Sequence, residues 1–276
     1  MTEALFTLLD GDHEGVALVV PTERSRGPWS EHALHGGPVA ALVVRYAEAA
    51  LRATGSDAVD PVRLTVDLER PVPLAPLRVE AEVVRPGRKV QVAEVVVRDE
   101  AGRRLVRASV LAIRRTPVDL PAERFAPADP PPPPKEQAYD DPVWDPLEGM
   151  TVFHKDGTEH RIVRGGFLTL GPTADWIRLM VPVMAGEEPS PFQRVAAAAD
   201  FGNGVSSVLR PDRWTFINPD LTVTVHRLPV GEWIGIDAVT RLDPSGVGTA
   251  ESDLFDERGR IGRSVQTLLV EPTRPG

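Results

Sequence analysis

The chain has 276 residues, of which 42% are hydrophobic and 26% charged, a composition typical of a folded protein that excludes wholesale disorder, collagen-like and coiled-coil architecture. Its 40 acidic against 31 basic residues give a formal net charge of −9, so it lacks the positive field that attracts nucleic acids and anionic membranes. The absence of cysteine excludes disulfides, thiolate metal sites, iron–sulfur clusters and a cysteine nucleophile.

The first half reads as a strand, a long helix and then further strands. A strand is expected at Gly15–Val20. Apolar residues at helical spacing predict a helix over Gly36–Ala53, with Pro38 near its start, where a missing N–H costs little. Apolar and polar residues then alternate from Leu64 to Glu69, as in a half-buried strand.

A proline-rich segment separates the two halves. Between Pro117 and Pro146 the composition shifts to Pro, Asp and Glu, with consecutive prolines at 130–134. Such a run favours extended polyproline geometry rather than packing. We therefore expect a linker at 117–146 between an N-terminal unit, 1–116, and a C-terminal unit, 147–276.

The second half repeats the order of elements. A strand is expected within Arg161–Leu170, followed by a helix over Ser190–Leu209, where Ser190 supplies a cap before a proline. Gly202–Gly204 is expected to kink or end that helix. Alternation from Leu221 to His226 predicts the next strand.

The two halves are related in sequence as well as in pattern. A shift of 157 residues places Leu64–Val66 on Leu221–Val223 and Asp99–Arg103 on Asp256–Arg260. Without gaps it gives 13 identities over the 50 positions that begin at Leu64, where composition alone predicts roughly four. A duplicated α+β unit, each copy an antiparallel sheet around one long helix, explains this register.

Four segments are the most specific features of this plan: His32–Pro38, Ala198–Gly204, Phe216–Arg227 and Arg263–Gln266. With them, the plan resembles the double-hotdog fold of the acyl-CoA thioesterase II family, and the resemblance covers both units. It implies hydrolysis of acyl thioesters to free acid and CoA, without a cofactor, at a site between the two units.

The resemblance also assigns site residues. The family's water-activating acid falls on Asp200 and its glutamine on Gln266, whereas the usual Thr or Ser is replaced by Asn218. An amide both donates and accepts hydrogen bonds, so Asn218 still suits the position. Gly36 and Gly37 are expected to bring helix N–H groups to the developing oxyanion, beside His35, which we expect to cap the helix or pack near its start.

The duplication supports a single site in the second half. The shift of 157 residues places Asp200, Asn218 and Gln266 opposite Val43, Pro61 and Ser109. The second half thus has hydrogen-bonding side chains at three positions where the first half has two apolar residues and one small hydroxyl. Asp200 is the candidate general base for water, and Asn218 with Gln266 the candidate groups that orient it.

Less specific interpretations exist for each of these residues. An aspartate in an alanine-rich helix is more often a solvated surface residue, Gln266 an ordinary strand residue and Asn218 part of a turn. Trp176, Phe216 and the tryptophans at 214 and 233 are expected mainly in the core, with one possible acyl-tunnel residue among them. The alternative functions are a non-catalytic acyl-CoA-binding protein that kept the scaffold, or a hotdog hydratase.

Other kinds of site lack support. The six histidines form no H-E-x-x-H motif, so no metal is expected, and neither a G-x-S-x-G elbow nor a phosphate-binding glycine loop occurs. We expect a cytoplasmic homo-oligomer that binds an acyl-CoA or acyl-carrier thioester and has no nucleic-acid or membrane partner. The candidates for CoA phosphates are Arg45, Arg70, Arg88, Arg210 and Arg227.

Overall fold

A computed structural model describes residues 3–13, 15–55, 59–121, 129–139 and 145–273. The strands of the first half are β1 Phe6–His13, β2 Val16–Pro21, β3 Val59–Leu68, β4 Leu77–Arg85, β5 Val90–Arg98 and β6 Arg104–Arg114. Those of the second half are β7 Thr158–Arg164, β8 Thr173–Leu179, β9 Trp214–Ile217, β10 Asp220–Val225, β11 Ile234–Leu242, β12 Val247–Asp256 and β13 Gly259–Pro272. The helices are α1 Gly36–Ala53, α2 Pro191–Ala199 and α3 Phe201–Val205.

The strands form one antiparallel sheet in which both halves follow the same order. From the join outward, the first half runs β3-β6-β5-β4-β2-β1 and the second β10-β13-β12-β11-β8-β7, with β9 paired to β13. The halves meet where β3 pairs with β10, with Thr65 opposite Thr222. Because Leu77 and Ile234 begin β4 and β11 at a separation of 157 residues, the repeat inferred from the sequence is also a structural repeat.

Helix α1 has the predicted bounds, Gly36–Ala53. Its apolar face, including Val39, Leu42 and Tyr46, is buried, and the helix packs on β4, β5 and α2. Each fully buried large apolar side chain contributes about 1.5–3 kcal/mol. The core therefore lies between the helix pair and the sheet, and it fixes the N-terminus of α1 near the second half.

The second helix differs from the prediction. One helix was expected over Ser190–Leu209, but α2 ends at Ala199, α3 follows at Phe201, and the helical segment stops at Val205. The break falls at Asp200 rather than at Gly202–Gly204, and Asp200 is the N-cap of α3. The Asp200 carbonyl oxygen also accepts a hydrogen bond from Gln266 Nε2 at 3.2 Å, which ties the junction of the two helices to β13.

The strands before the helices were predicted in part. The expected strands at Gly15–Val20 and within Arg161–Leu170 correspond to β2 and β7. Two more strands, β1 and β8, were not predicted. The β1 sequence includes Asp and Gly and exposes Leu8 and Leu9, so it lacks a simple alternating pattern.

The proline-rich segment packs in part, contrary to prediction. Pro133 is buried, and its carbonyl oxygen accepts a hydrogen bond from Trp176 Nε1 at 2.9 Å. Lys135 Nζ lies 4.6 Å from the centroid of the Trp233 ring. Proline carbonyls remain acceptors, so a buried tryptophan N–H gains a partner by holding the segment against the second half. Residues 122–128 and 140–144 of the expected linker lie outside the described residues.

No helix among the described residues has both the length and the apolar character needed to cross a bilayer.

The buried carboxylate of Glu48 connects α1 with the start of α2. Glu48 of α1 accepts hydrogen bonds from Ser190 Oγ at 2.7 Å and from Gln193 Nε2 at 2.9 Å, both at the start of α2. Burial raises the pKa of Glu48, and these hydrogen bonds together with the nearby arginines offset that effect only in part.

Replacing Glu48 by Gln is expected to change how stability depends on pH. Because the folded-state pKa is raised, the stabilising contribution of Glu48 is complete below its unfolded pKa, about 4.3, and is lost as the pH rises through the folded value. Relative to Glu48→Gln, the wild type should lose free energy of unfolding from pH 4 to 8. Urea unfolding of both proteins across this range measures the difference, and a difference that is constant with pH would contradict the assignment.

Candidate active site

The two halves contribute facing groups where α1 begins. A Cβ placed on Gly36 would lie 2.6 Å from Oδ2 and 2.8 Å from Oδ1 of Asp200. Since real Cβ atoms do not approach other atoms so closely, only glycine at position 36 allows the carboxylate to sit against the helix N-terminus. Asp200 belongs to the second half, where it lies at the break between α2 and α3.

Two of the three polar residues singled out in the second half donate hydrogen bonds to one carboxylate oxygen of the third. Asn218 Nδ2 and Gln266 Nε2 each donate to Asp200 Oδ1, both at 3.0 Å. Asn218 follows β9, and Gln266 lies on β13. Two amide donors fix the orientation of the carboxylate and leave Oδ2 without an amide partner.

Gln266 is held on several sides. In addition to its bonds to Asp200, its Oε1 accepts from the backbone N–H of Asn203 at 3.0 Å. A Cβ on Gly202 would lie 3.1 Å from the same Oε1, so glycine at 202 lets α3 approach β13. Gln266 is 1% exposed and does not line the cavity next to Asp200, so its amide supports the carboxylate from behind.

His35 caps α1 and touches the other carboxylate oxygen. Its Nδ1 accepts from the Gly37 N–H at 3.0 Å and lies 3.0 Å from Asp200 Oδ2. The first contact needs an unprotonated Nδ1 and the second a protonated one, so a single protonation state satisfies one of them. The ring is also packed against Phe153 and Phe201, at centroid distances of 5.2 and 4.8 Å.

The two glycines at the helix start occupy different surroundings. Gly36 lines the cavity, whereas Gly37 is buried, and a Cβ there would lie 2.6 Å from the carbonyl oxygen of Ala197. The Gly37 N–H is occupied by His35. Of the pair expected at the oxyanion, Gly36 is therefore the residue at the cavity wall, and Gly37 permits close packing of α1 on α2.

A cavity of about 620 Å³ adjoins these groups and is lined by both halves. This volume falls in the range of small-molecule sites, about 300–1,000 Å³. Its polar wall includes His35, Asp200 and Asn218. Its apolar wall includes Trp29, Leu34, Val39, Leu68, Val72, Phe167, Phe201, Phe216 and Ile217. An apolar cavity ending at an oriented carboxylate suits an acyl chain with a hydrolysable carbonyl.

The aromatic residues divide between core and cavity. Trp176 is fully buried, Trp214 and Trp233 are half-buried, and Phe216 lines the cavity. Trp29, which no sequence pattern indicated, lines the cavity as well.

Asn203 was considered only as a helix breaker, but it also lines the cavity. It is 6% exposed, and its Oδ1 is buried without a hydrogen-bond partner among the described residues. The spacing of three residues from Asp200, which places both on one helix face, is the sequence signal that indicates this position.

The equivalent positions in the duplicate carry other side chains. Gln193 corresponds to Gly36 under the repeat, and its Nε2 donates a hydrogen bond to Glu48 Oε2 at 2.9 Å. Val43, the counterpart of Asp200, is fully buried within an unbroken helix. The two halves share the order of their strands, but they differ in the polar side chains at these positions.

The candidate arginines are separated by the structure. Three form ion pairs, Arg45 with Glu187, Arg210 with Asp212 and Arg227 with Asp256. Arg88 lies in the turn between β4 and β5, away from the cavity wall, whereas Arg70 lines the cavity. Within the described ranges, no group of three His, Asp or Glu residues is arranged to hold a metal ion.

Comparison with known proteins identifies the family. The acyl-CoA thioesterase N-terminal domain matches residues 25–114, and the acyl-CoA thioesterase C-terminal domain matches residues 121–270. A search of curated proteins gave no match.

Several solved structures share the fold. A candidate thioesterase II from Thermobifida fusca YX is 20% identical with a TM-score of 0.71, covering 95% of this chain and 94% of that one. A hot dog fold protein of unknown function from Alicyclobacillus acidocaldarius is 17% identical with a TM-score of 0.70, covering 98% and 96%. An acyl-CoA thioesterase II from Mycobacterium marinum is 15% identical with a TM-score of 0.65, covering 98% and 96%.

At these identities the structural likeness establishes the hotdog fold, and the two domain matches establish the family membership. Both halves match acyl-CoA thioesterase domains, and the chain belongs to the acyl-CoA thioesterase family.

Proposed function

We propose that this thioester hydrolase cleaves acyl-CoA at the junction of its two halves, with Asp200 as general base for water. The observation that carries the proposal is the convergence of Asn218 and Gln266 on Asp200 Oδ1, which leaves Oδ2 for the proton of a water molecule. The 620 Å³ cavity beside it accommodates the acyl group.

The proposed reaction proceeds by direct attack of water. Asp200 Oδ2 takes a proton as the water oxygen bonds to the thioester carbonyl carbon, and the carbonyl oxygen becomes an oxyanion. The N-terminal end of α1, where Gly36 lines the cavity, stabilises that charge through its dipole and N–H group. The C–S bond then breaks, the sulfur leaves as the CoA thiolate, and the proton held on Asp200 returns to it.

The cap that His35 forms on α1 fits this role. While Nδ1 accepts from the Gly37 N–H, it cannot donate to Asp200, so Oδ2 stays available to water. A protonated Nδ1 would instead donate to Oδ2 and compete with the water proton. The hydrogen bond from Gly37 to His35 therefore supports a base at Asp200.

A single site per chain follows from the asymmetry of the repeat. The duplicate has Gln193 where the proposed site has Gly36, and the Gln193 amide is hydrogen-bonded to Glu48. Val43 offers no group to activate water.

We also propose that the hotdog fold is present twice, as a double hotdog. The identical strand order on each side of the β3–β10 join supports an N-terminal unit at 1–116 and a C-terminal unit at 147–276, with 117–146 between them. Assembly of two or more chains, a cytoplasmic location, and the choice between CoA and an acyl carrier protein stay predictions.

Release of free thiol tests the proposed function. Purified protein is incubated with acyl-CoAs of several chain lengths, and the thiol is measured with time. Release confirms turnover, whereas binding of the same ligands without release at any length would favour the non-catalytic alternative.

Asn218 offers a graded test of how the carboxylate is oriented. Asn218→Ala removes one of two donors to Asp200 Oδ1, and we expect kcat to fall about tenfold, as for one hydrogen bond to a charged group. Asn218→Thr, which restores the family's usual residue type, should keep more activity than the alanine variant. Equal rates for wild type and Asn218→Ala would remove this residue from the mechanism.

A further inference from the structure

One arginine at the cavity wall, Arg70, forms no ion pair among the described residues, although its charge acts on the neighbouring Glu69 carboxylate. Arg70 lies two residues after the end of β3, is exposed, and lines the same cavity as Asp200 and Asn218. The backbone N–H of Leu68 donates to the carbonyl oxygen of Pro219 at 2.7 Å, which brings this part of the chain beside Asn218. Among the described residues, no ion pair includes Arg70.

Its counterpart in the second half is fully paired. Arg227 Nη2 donates to Oδ1 of the buried Asp256 at 2.7 Å and to the carbonyl oxygen of Gly259 at 3.1 Å. Asp256 and Asp99 occupy equivalent positions in the repeat. The duplicated sequence alone would therefore predict the same Arg–Asp pair in both halves.

In the first half, Asp99 is bound by Arg103 instead of Arg70. Arg103 Nε donates to Asp99 Oδ2 at 2.7 Å, and the Arg103 backbone N–H donates to Oδ1 at 2.9 Å. The second-half equivalent of Arg103 is Arg260, whose Nη2 donates to Asp253 at 2.8 Å.

The exchange of partners traces to one position of the repeat. Asp253 is replaced in the first half by Val96. Without a carboxylate at position 96, Arg103 binds Asp99, and Arg70 is left to face the cavity.

The other charges at the cavity wall are already matched. Glu69 forms an ion pair with Arg104 at 2.8 Å, and Asp200 is held by two amides. Arg70 therefore supplies a local positive charge in a protein of net charge −9. Such a local positive charge attracts an anionic ligand to the cavity electrostatically.

We propose that Arg70 binds a phosphate group of CoA at the mouth of the cavity. The ligand class rests on the proposed function, and the observation that assigns the residue is a guanidinium at the cavity wall with no ion-pair partner among the described residues. A guanidinium presents paired N–H donors that match phosphate oxygens, and the hydrogen bonds are strengthened by the opposite charges.

Binding of the thiol product tests the proposal without requiring turnover. Calorimetric titration measures the Kd of CoA and of pantetheine, which lacks the phosphates, for wild type, Arg70→Ala and Arg88→Ala. Arg88 is the matched control, because its loss changes net charge equally away from the cavity. We expect Arg70→Ala to weaken CoA binding at least about tenfold, the effect of one lost hydrogen bond to a charged group, and to leave pantetheine binding unchanged.

Three results would overturn the assignment. These are unchanged CoA binding by Arg70→Ala, an equal loss for CoA and pantetheine, and an equal loss of CoA binding in Arg88→Ala. None of them bears on hydrolysis, because no thioester is cleaved in the titration. Failure of the proposed function would instead appear as absence of thiol release from acyl-CoA by the wild type.

Discussion

Asp200→Asn should reduce kcat for acyl-CoA hydrolysis by at least about a hundredfold, the lower end of a general-base contribution. The change removes the group that accepts the water proton while keeping the side chain's size. An amide at 200 can also turn its oxygen toward the donors of Asn218 and Gln266, so the local structure should persist. Thiol release under saturating substrate measures the loss.

The control for this variant is Asp119→Asn, the same chemical change at an exposed position. We expect it to match the wild type in rate, and both variants to unfold at similar temperatures. An Asp200→Asn protein that is folded and turns over at the wild-type rate would exclude Asp200 as the base.

Gly36→Ala should abolish most activity although it adds a single methyl group. The new Cβ would lie 2.6 Å from Asp200 Oδ2 and 2.9 Å from Cγ, so the carboxylate must move away from the start of α1. Displacement of a reacting group by about 1 Å can cost about a hundredfold in rate. We expect a loss of that order in kcat, measured by thiol release.

Gly37→Ala is the informative comparison for Gly36→Ala. Its Cβ would meet the backbone carbonyl of Ala197 at 2.6 Å, which cannot rotate away, so the main effect should be a lower unfolding temperature. Adjacent glycines are thus expected to separate activity from stability. Equal losses of both properties in the two variants would contradict the distinct roles assigned to them.

The features that depend on local pattern could be predicted from the sequence. Helix α1 was placed correctly because its apolar spacing and Pro38 are local signals. The repeat was found because a shift of 157 residues needs no gap, and β4 and β11 preserve that register. The resemblance brought Asp200, Asn218 and Gln266 into consideration, and the structure places them together.

The features that depend on contacts between distant parts of the chain could not be predicted from the sequence. The break at Asp200 coincides with a hydrogen bond from Gln266, which is remote in sequence. The packing of Pro133 depends on the indole N–H of Trp176. The different surroundings of Gly36 and Gly37 arise only when the second half approaches the start of α1. Each of these is a tertiary contact without a local sequence signature.

A single-turnover reaction in ¹⁸O-labelled water tests most directly whether Asp200 acts as a general base. With enzyme in excess over acyl-CoA, direct attack of the activated water places one ¹⁸O atom in the released carboxylic acid and none in the peptide that contains Asp200. If Asp200 instead attacked the thioester and formed a covalent anhydride, the label would enter its carboxylate when water cleaves the anhydride there. An unlabelled acid with labelled Asp200 would contradict the account, and a labelled acid with unlabelled Asp200 is the result it predicts.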